Sequence, residues 1–337
     1  MTEVGPFGLT VRDKALEADV QAGLAAVEEG LFEATKSDVP FITGAAQHLV
    51  RAGGKRFRPL LVMLGAQFGD PHAPGVVPSA VVVELTHLAT LYHDDVMDEA
   101  DVRRGVPSAN VNWTNSVAVL TGDYLFARAS HILADLGPEA VRIQAEAFER
   151  LVTGQIMETA GPGEGRDPVQ HYLDVIAGKT GSLIAVAGRF GALMAGADER
   201  VVSILTQYGE RVGTAFQLAD DVLDIASDSH ESGKTPGTDL REGIPTLPVL
   251  HLQARAASPE ATAEDRALLE LLEGDLTDDA RHAEALTGLR AHPALAQARQ
   301  DTIRYANEAR QTLMPLPDCA AKAALSQLCD AVVHRAA

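Results

Sequence analysis

The chain has 337 residues, of which 46% are apolar, 4% are aromatic and 22% are charged, and its formal net charge is −19. This length suits one large domain or two small ones, and the apolar fraction supports a sizeable core. The acidic balance argues against a protein that binds the phosphate backbone of nucleic acids, or one held by charge on an anionic membrane.

The two cysteines, Cys319 and Cys329, form neither a zinc-binding spacing nor a disulfide framework. Such sparse cysteine usage favours a reducing, cytoplasmic compartment. The first ten residues lack the basic and apolar regions of a signal peptide, and no stretch has the roughly 18 uninterrupted apolar residues of a spanning helix. We therefore expect a soluble cytoplasmic protein without a transmembrane segment.

Apolar segments with helical periodicity dominate the first two thirds of the chain. In chain order they cover 60–69, 79–98, 116–137, 140–161 and 199–226, with Gly- and Pro-rich stretches between them. Abundant Ala and Leu favour helices, and the sequence contains no βαβ alternation, no G-x-G-x-x-G and no Walker loop. The pattern predicts an all-α single domain, with an exposed helix–loop–helix at 258–285.

An acidic stretch ends the second of these helices. Residues 91–105, LYHDDVMDEADVRRG, place five acidic residues within eight positions, and DDVMD (94–98) recurs as DDVLD (220–224). Because residues i and i+4 share a helix face, Asp94 projects with Asp98, and Asp220 with Asp224. An isolated acidic cluster is usually a solvated helix end. Two matching clusters that face each other across a cavity would instead offer the oxygen ligands that Mg²⁺ takes together with substrate phosphates.

Basic motifs accompany the acidic clusters. GGKRFRP (53–59) places Lys55, Arg56 and Arg58 after two glycines, on a basic loop before a helix that Pro59 is predicted to begin, and such a loop is typical of a phosphate site. Further basic candidates are Arg103, Arg104, Lys179, Lys234 and His87. Taken singly, these residues fit an ordinary basic loop, a structural ion pair, a surface lysine or a core histidine. Together they favour a diphosphate pocket, with the apolar helices shielding a hydrocarbon tail from water.

The order of these motifs resembles that of trans-polyprenyl diphosphate synthases, of the isoprenyl diphosphate synthase family. GGKRFRP, ELTHLATLYHDDVMD, RRG, GDYLF, GQ, KTG, QLADDVLD, GK (233–234) and GTDLREGIPTLP occur in family order over about residues 40–250. Residues 251–337 would be a helical C-terminal part of the same domain. The resemblance implies an isoprenoid-synthase helical bundle around a deep central cavity, usually as a homodimer. It also implies head-to-tail condensation of isopentenyl diphosphate onto an allylic diphosphate, with about three Mg²⁺ per active site.

The resemblance assigns roles by motif position. Metal binding falls to Asp94, Asp95, Asp98, Asp220, Asp221 and Asp224, and in the family the first aspartate of each cluster is the most consistent ligand. Contacts with the allylic diphosphate fall to Arg103, Lys179, Thr180, Gln217 and Lys234, and contacts with isopentenyl diphosphate to Lys55, Arg58, His87 and Arg104. Asp239 also matches a family acidic position. The expected catalytic residues are Asp94, Asp98, Arg103, Lys179, Asp220 and Lys234, with released diphosphate as the final base.

Product length is predicted from the residues just before Asp94. In the family, large aromatic residues four or five positions before this aspartate stop the growing tail, whereas here Thr90 and Ala89 are small. By helical wheel Thr90 points into the cavity and Ala89 lies on its flank. We therefore expect a long all-trans product, about C35 to C50, for a quinone side chain. A C20 geranylgeranyl product is the alternative, and Phe126 or His131 is a candidate for a deeper floor.

Two other classes share part of this pattern. Terpene cyclases also use DDxxD, but they typically have an Asn/Asp–Ser/Thr–Glu second motif and lack GGKRFRP. Non-catalytic subunits of heteromeric synthases typically lose cluster aspartates, and all six are present here. The expected partners are thus the two diphosphate substrates and a second copy of the chain, with transient membrane contact for product release and no nucleic acid.

Overall fold

The computed structural model describes residues 13–227 and 236–336. The helices are α1 Lys14–Ala34, α2 Pro40–Ala46, α3 His48–Arg51, α4 Phe57–Ala66, α5 Val76–Met97, α6 Ala109–Asn112, α7 Asn115–Leu136, α8 Pro138–Ala160, α9 Pro168–Ile176, α10 Ser182–Met194, α11 Glu199–Ala226, α12 Thr238–Arg241, α13 Leu247–Ala256, α14 Ala263–Leu272, α15 Asp279–Ala291, α16 Pro293–Thr312 and α17 Ala320–Ala336. A π-helical segment, Ala177–Gly181, precedes α10. Strands β1 (Val102–Arg103) and β2 (Val106–Pro107) pair antiparallel as a short hairpin.

The predicted helices are present. The five apolar segments correspond to α4, α5, α7, α8 and α11 within a few residues, and the polar stretch at 258–285 forms α14 and the start of α15. The all-α prediction is therefore confirmed. One boundary was wrong: α4 begins at Phe57, so Pro59 is its third residue. A proline is tolerated there because the N–H groups of the first turn have no partner within the helix.

Backbone contacts divide the described residues into two compact units. Unit 1 contains 13–149, 182–209 and 312–328, and unit 2 contains 150–181, 210–227, 236–311 and 329–336. Each unit is assembled from separate stretches of the chain. The single domain over 1–337 therefore stays a prediction.

Helix α5 is the centre of unit 1 and packs against α1, α4, α7 and α10. Its Tyr92 is fully buried, donates a hydrogen bond to the carbonyl oxygen of Ala45 (2.5 Å) and accepts one from the amide of Leu49 (3.2 Å). Tyr92 is thus a hydrogen-bonded core residue that ties α5 to the segment around α2 and α3. The acidic cluster lies at the C-terminal end of this buried helix, so packing restrains the backbone that carries it.

Helices α5 and α7 approach closely at Gly122, within the GDYLF motif. A Cβ atom at this position would overlap the Nε2 atom of His93 and lie 3.0 Å from the carbonyl oxygen of Ala89. Nε2 of His93 also lies 3.1 Å from the carbonyl oxygen of Val119 on α7. The missing side chain therefore sets the spacing between the two helices.

Substitution Gly122→Ala is expected to lower the free energy of unfolding by about 1–3 kcal/mol, because the methyl group forces α5 and α7 apart. The matched control is Gly44→Ala in α2, where an added Cβ meets no atom within 4 Å. There the alanine is expected to be neutral or to stabilise by about 0.4–1 kcal/mol, through the unfolded state. Denaturant unfolding gives the free energy of unfolding of both variants. Equal values for Gly122→Ala and Gly44→Ala would contradict the steric argument.

Unit 2 contains a buried carboxylate that joins three of its helices. Asp265 accepts hydrogen bonds from the backbone amide of Thr262 (2.6 Å), Nε of Arg255 (2.7 Å) and Nε2 of His292 (2.9 Å). The hydrogen bonds from Thr262 are the main cause that lowers the pKa of Asp265 below its ordinary value. This network fixes α13 and α14 to the start of α16.

None of the helices in the described part of the chain combines the length and the apolar character needed to cross a membrane.

Candidate active site

The first aspartate cluster lies at the C-terminal end of α5, in unit 1. Asp94 is half-buried, Asp95 is fully buried and Asp98 is exposed. The β1–β2 hairpin returns Arg103 to this cluster, with Nε 2.5 Å from Oδ1 of Asp95 and Nη2 4.0 Å from Oδ2 of Asp98. Burial raises the pKa of Asp95, and the Arg103 guanidinium opposes this effect. A structural ion pair therefore accounts for part of the charge in the acidic stretch.

A second group of charges in unit 1 surrounds Glu84, which is buried inside α5. Its Oε1 accepts a hydrogen bond from Nη1 of Arg56 (3.0 Å) and lies 3.8 Å from Nη2 of Arg104. Arg56 also pairs with Glu28 through Nε and Nη2, at 2.8 and 3.0 Å. Arg56, which the sequence placed in the basic loop of the predicted phosphate site, is therefore held by two carboxylates.

Gly53 and Gly54, the two glycines of GGKRFRP, lie against the side chain of Arg104, the second arginine of RRG. A Cβ at Gly54 would lie 2.9 Å from Cζ of Arg104, so the guanidinium packs where other residues carry a side chain. The same guanidinium donates hydrogen bonds to the carbonyl oxygens of Leu49 (3.1 Å) and Gly53. Arg56 and Arg104 have left-handed backbones, with φ of 48° and 54°. Such strain persists only where several contacts enforce it, and it is concentrated at functional sites.

The remaining groups of this pocket have shifted pKa values. Burial lowers the pKa of Arg58 to about 10, against the opposing charge of Glu84, so the side chain remains a cation at neutral pH. Burial and then the charges of Arg58 and Arg104 lower the pKa of His87 well below its ordinary value, so its imidazole is neutral. The Nε atom of Arg58 is buried and has no hydrogen-bond partner among the described residues. This N–H group of Arg58 therefore keeps a hydrogen-bonding capacity that no described residue uses.

The second aspartate cluster lies on α11, in unit 2. Asp221 is buried and accepts hydrogen bonds from Nε2 of Gln217 (2.9 Å) and from the hydroxyl of Tyr172. Burial raises the pKa of Asp221 to about 6. Asp224 accepts backbone N–H groups of Thr238 and Asp239, both at 3.3 Å. In both clusters, then, the second aspartate is buried and hydrogen-bonded by a neighbouring side chain of its own unit.

The KTG motif forms the π-helical segment of unit 2. A Cβ at Gly178 would lie 2.9 Å from the carbonyl oxygen of Arg150, and one at Gly154 would lie 2.6 Å from the amide nitrogen of Lys179. These glycines let the segment pack directly on α8. Nζ of Lys179 lies 2.7 Å from Oε2 of Glu158, so the lysine has a carboxylate partner. The hydroxyl of Thr180 donates to Oε1 of Gln217 (3.1 Å), beside the aspartate cluster.

The structure thus groups most of the predicted residues within each unit. Unit 1 places Asp94, Asp95 and Asp98 with Arg103, and it places Arg58 and Arg104 near Glu84, with His87 next to these arginines. Lys55 is exposed on the loop that precedes α4, the helix that contains Arg58. Unit 2 groups Asp220, Asp221 and Asp224 with Gln217 and Thr180. Lys234 lies outside the described residues.

Sequence reasoning missed several acidic and polar partners. They are Glu28, Glu84, Glu158 and Tyr172. Glu84 carried a usable signal, because a carboxylate inside an otherwise apolar helix is costly unless it is paired with a charge. Tyr172 carried no such signal, since a tyrosine in an amphipathic helix fits ordinary packing.

The residues predicted to govern product length have different environments. Ala89 is fully buried where α5 meets α7, whereas Thr90 is half-buried and its hydroxyl donates to the carbonyl oxygen of His87 (2.8 Å). A cavity of about 390 Å³ in unit 1 is lined instead by Thr86 and His93 of α5, together with residues of α7 and α8. Phe126 lines it, with its ring centroid 4.4 Å from that of Phe148. His131 is exposed and does not line this cavity.

The donor atoms of the first cluster fit a divalent metal that is completed by other ligands. Asp94 and Asp98 supply hard oxygen atoms one helical turn apart, and Oδ2 of Asp95 is buried without a hydrogen-bond partner. Within 13–227 and 236–336, no group of three or more His, Cys, Asp or Glu side chains is arranged to hold a metal by itself. These donors suit Mg²⁺, which keeps waters and takes substrate phosphates as further ligands.

Comparison with protein families matches residues 39–288 to polyprenyl synthetase. The chain belongs to the polyprenyl synthetase family. It is 50% identical to a nonaprenyl diphosphate synthase of Mycobacterium tuberculosis over 329 residues, which cover 97% of each chain. It is therefore a prenyltransferase enzyme, a polyprenyl diphosphate synthase, and family membership decides against a terpene cyclase.

Solved structures agree with this assignment. A geranylgeranyl pyrophosphate synthase from Corynebacterium glutamicum, complexed with calcium and isoprenyl diphosphate, is 44% identical with a TM-score of 0.86, covering 96% of this chain and 98% of its own. A decaprenyl diphosphate synthase from Rhodobacter capsulatus is 35% identical with the same TM-score, covering 96% and 99%. The fold of this synthase is the all-α isoprenoid-synthase fold.

Proposed function

We propose that this synthase condenses isopentenyl diphosphate head-to-tail onto an allylic diphosphate, by Mg²⁺-dependent ionisation, condensation and elimination. The observation that carries the proposal is the basic pocket of unit 1, where Arg58 and Arg104 lie with a neutral His87 beside the buried Glu84. The cationic N–H groups of this pocket suit a diphosphate. Glu84 and His87 lie on α5, and this helix ends in the first aspartate cluster.

Each predicted residue has a task in this reaction. Lys55, Arg58, His87 and Arg104 bind the diphosphate of isopentenyl diphosphate, and Arg103, Lys179, Thr180, Gln217 and Lys234 bind that of the allylic substrate. Asp94, Asp95, Asp98, Asp220, Asp221 and Asp224 would hold about three Mg²⁺, with the second aspartate of each cluster, Asp95 or Asp221, often acting through water. When bound, the metal ions stabilise the charge of the departing diphosphate. Apolar residues of α5 and α7 exclude water from the carbocation, and released diphosphate takes the final proton.

We infer a long all-trans product, about C35 to C50, of the kind used for a quinone side chain. Two features support this length: the small residues Ala89 and Thr90 before the first cluster, and the similarity to nonaprenyl and decaprenyl synthases. A C20 product is the second candidate, because the paired rings of Phe126 and Phe148 line the cavity beside α5. The similarity to a geranylgeranyl pyrophosphate synthase also supports it.

Product analysis tests the reaction and the length together. The purified chain is incubated with labelled isopentenyl diphosphate, each allylic primer in turn and Mg²⁺, with and without chelator, and the dephosphorylated products are sized by chromatography. A chelator-sensitive ladder that ends beyond C30 supports the long-chain proposal. A longest product of C15 or C20 would support the proposed reaction but contradict the proposed product length. Failure with every primer would instead favour a non-catalytic subunit of a heteromeric synthase.

The ring pair provides a finer prediction about product length. Phe126→Ala is expected to extend the longest product by at least one isoprene unit, because it opens the cavity beyond His93. Ser130→Ala is the matched control, since Ser130 lines the same cavity one turn further along α7 but loses only its exposed hydroxyl. Chromatography of the products of both variants tests this prediction. Identical products would show that Phe126 does not line the path of the growing hydrocarbon tail.

We infer further that the synthase acts as a homodimer. Large apolar side chains are exposed on α7 and α8 within unit 1, including Leu120, Val119 and Val141. Exposed apolar patches of this kind mark interaction surfaces. Sedimentation is expected to give twice the chain mass of 35.6 kDa. The cytoplasmic location and the transient membrane contact stay predictions.

A further inference from the structure

Glu84 is the buried carboxylate on which the arginines of the basic pocket converge. Its side chain is 2% exposed, and it lies on α5 three residues before His87. It bonds Arg56 at 3.0 Å, lies 3.8 Å from Arg104 and lowers the cost of the buried charge on Arg58. No role was assigned to it by the motif resemblance.

The two carboxylates that pair with Arg56, those of Glu28 and Glu84, differ in burial and in the number of arginines that they contact. Glu28 bonds Arg56 with both of its oxygens, and its side chain is 39% exposed. Glu84 is the more deeply buried, and its ion pairs within 4.0 Å include both Arg56 and Arg104. Loss of Glu28 therefore removes direct contacts to Arg56 alone, whereas loss of Glu84, whose charge acts more strongly than that of Glu28 on Arg104, removes an ion-pair partner of both arginines.

Arg104 reaches the pocket from a strained turn. Its backbone has φ of 54°, its neighbour Arg103 pairs with Asp95 in the aspartate cluster, and its own guanidinium covers Gly54. Without a buried negative charge, Arg56, Arg58 and Arg104 would repel one another inside unit 1. An attractive centre is needed to keep their N–H groups together before a diphosphate arrives.

We propose that Glu84 is a positioning residue of the isopentenyl diphosphate site, which pre-organises Arg104 and Arg58 without touching the substrate. It acts as a fixed counter-ion that gathers the guanidinium groups and orients them towards the incoming diphosphate. The proposal rests on the proposed function, because it assigns these arginines to isopentenyl diphosphate. Pre-organisation of this kind affects the affinity for one substrate and leaves the other unaffected.

The test is two-substrate steady-state kinetics on the full chain with Mg²⁺. Glu84→Gln keeps the shape and removes the charge, and it is expected to raise KM for isopentenyl diphosphate about tenfold or more, with KM for the allylic diphosphate changed less than about twofold. Glu84→Asp, which restores the charge, is expected to recover part of the affinity. Glu28→Gln is the matched control and is expected to leave both KM values near those of the wild type.

The outcomes separate the two levels of the proposal. Three results would overturn the positioning role: equal rises in both KM values, a fall in kcat alone, or the same effect from Glu28→Gln. Each would indicate that Glu84 only stabilises the fold. If Glu84→Gln does not fold, as judged by circular dichroism, the Glu84→Asp variant is decisive, because an unchanged KM for isopentenyl diphosphate despite the retracted carboxylate would contradict the proposal. A wild-type chain without product from any primer would refute the proposed function itself.

Discussion

Replacement of Asp94 or Asp220 by alanine is expected to lower the Mg²⁺-dependent rate of product formation at least about a thousandfold, equivalent to ~4 kcal/mol of transition-state stabilisation. Each substitution removes the first aspartate of a cluster, which is the expected direct metal ligand. Asp94 is half-buried beside the bonded Asp95, and Asp220 lies beside the bonded Asp221. The loss of a first aspartate therefore leaves a neighbour whose Oδ1 atom already accepts a hydrogen bond, from Arg103 for Asp95 and from Gln217 for Asp221. The rate is measured with saturating substrates over a range of Mg²⁺ concentrations.

The matched control for Asp94 is Asp101→Ala. Asp101 belongs to the same acidic run and is exposed, so its removal changes the net charge equally without removing a DDxxD carboxylate. We expect the control to keep at least about half of the wild-type rate. Circular dichroism and unfolding curves should match for all three variants. Near-normal rates in the two cluster variants would show that the metals, or the reaction, lie elsewhere.

Substitution Thr90→Phe is expected to shorten the final product to about C15 or C20, because an aromatic ring would stand about 6 Å along α5 from Asp94, on the same face of the helix. Thr90 is half-buried, so a larger side chain can be placed there without entering the core. Turnover should continue, because no charged group is lost. Chromatography of the dephosphorylated products gives the length directly.

Two companion variants sharpen this prediction. Thr90→Val keeps the size of the side chain and is expected to leave product length unchanged. Ala89→Phe places the ring where α5 meets α7, at a fully buried position, and is expected to lower the free energy of unfolding by about 1–3 kcal/mol. A Thr90→Phe enzyme that still makes the wild-type product would mean that the tail follows another path.

Much of the fold was readable from the sequence because helix signals are local. The apolar periodicity of 79–98 and 116–137 placed α5 and α7 within three residues of their observed bounds. The spacing of Asp94 and Asp98 likewise predicted a shared helix face, which depends only on the helical repeat. The π-helical form of KTG was not readable, because it depends on close packing of Gly154 and Gly178 within unit 2.

The candidate site was readable as a set of residue types but not as a set of contacts. The motifs named Arg58, Arg104 and His87, yet they gave no sign that Glu84 holds the group together, or that Gly54 makes room for Arg104. Similarly, the motifs DDVMD and DDVLD look alike, and only the structure shows that the second aspartate of each is buried and accepts a hydrogen bond from a side chain of its own unit.

By itself, the sequence determined that this protein is helical, that it carries two carboxylate clusters with accompanying cations, and that small residues precede the first cluster. The tertiary structure decided which cations are held by carboxylates, why the pKa of His87 is lowered, and that Ala89 is in the core while Thr90 is not. The physical reason is the sequence separation over which each kind of interaction acts. Helix periodicity acts over three or four residues, whereas Arg56 meets Glu28 and Glu84 across 28 residues in each direction, and only packing sets such contacts.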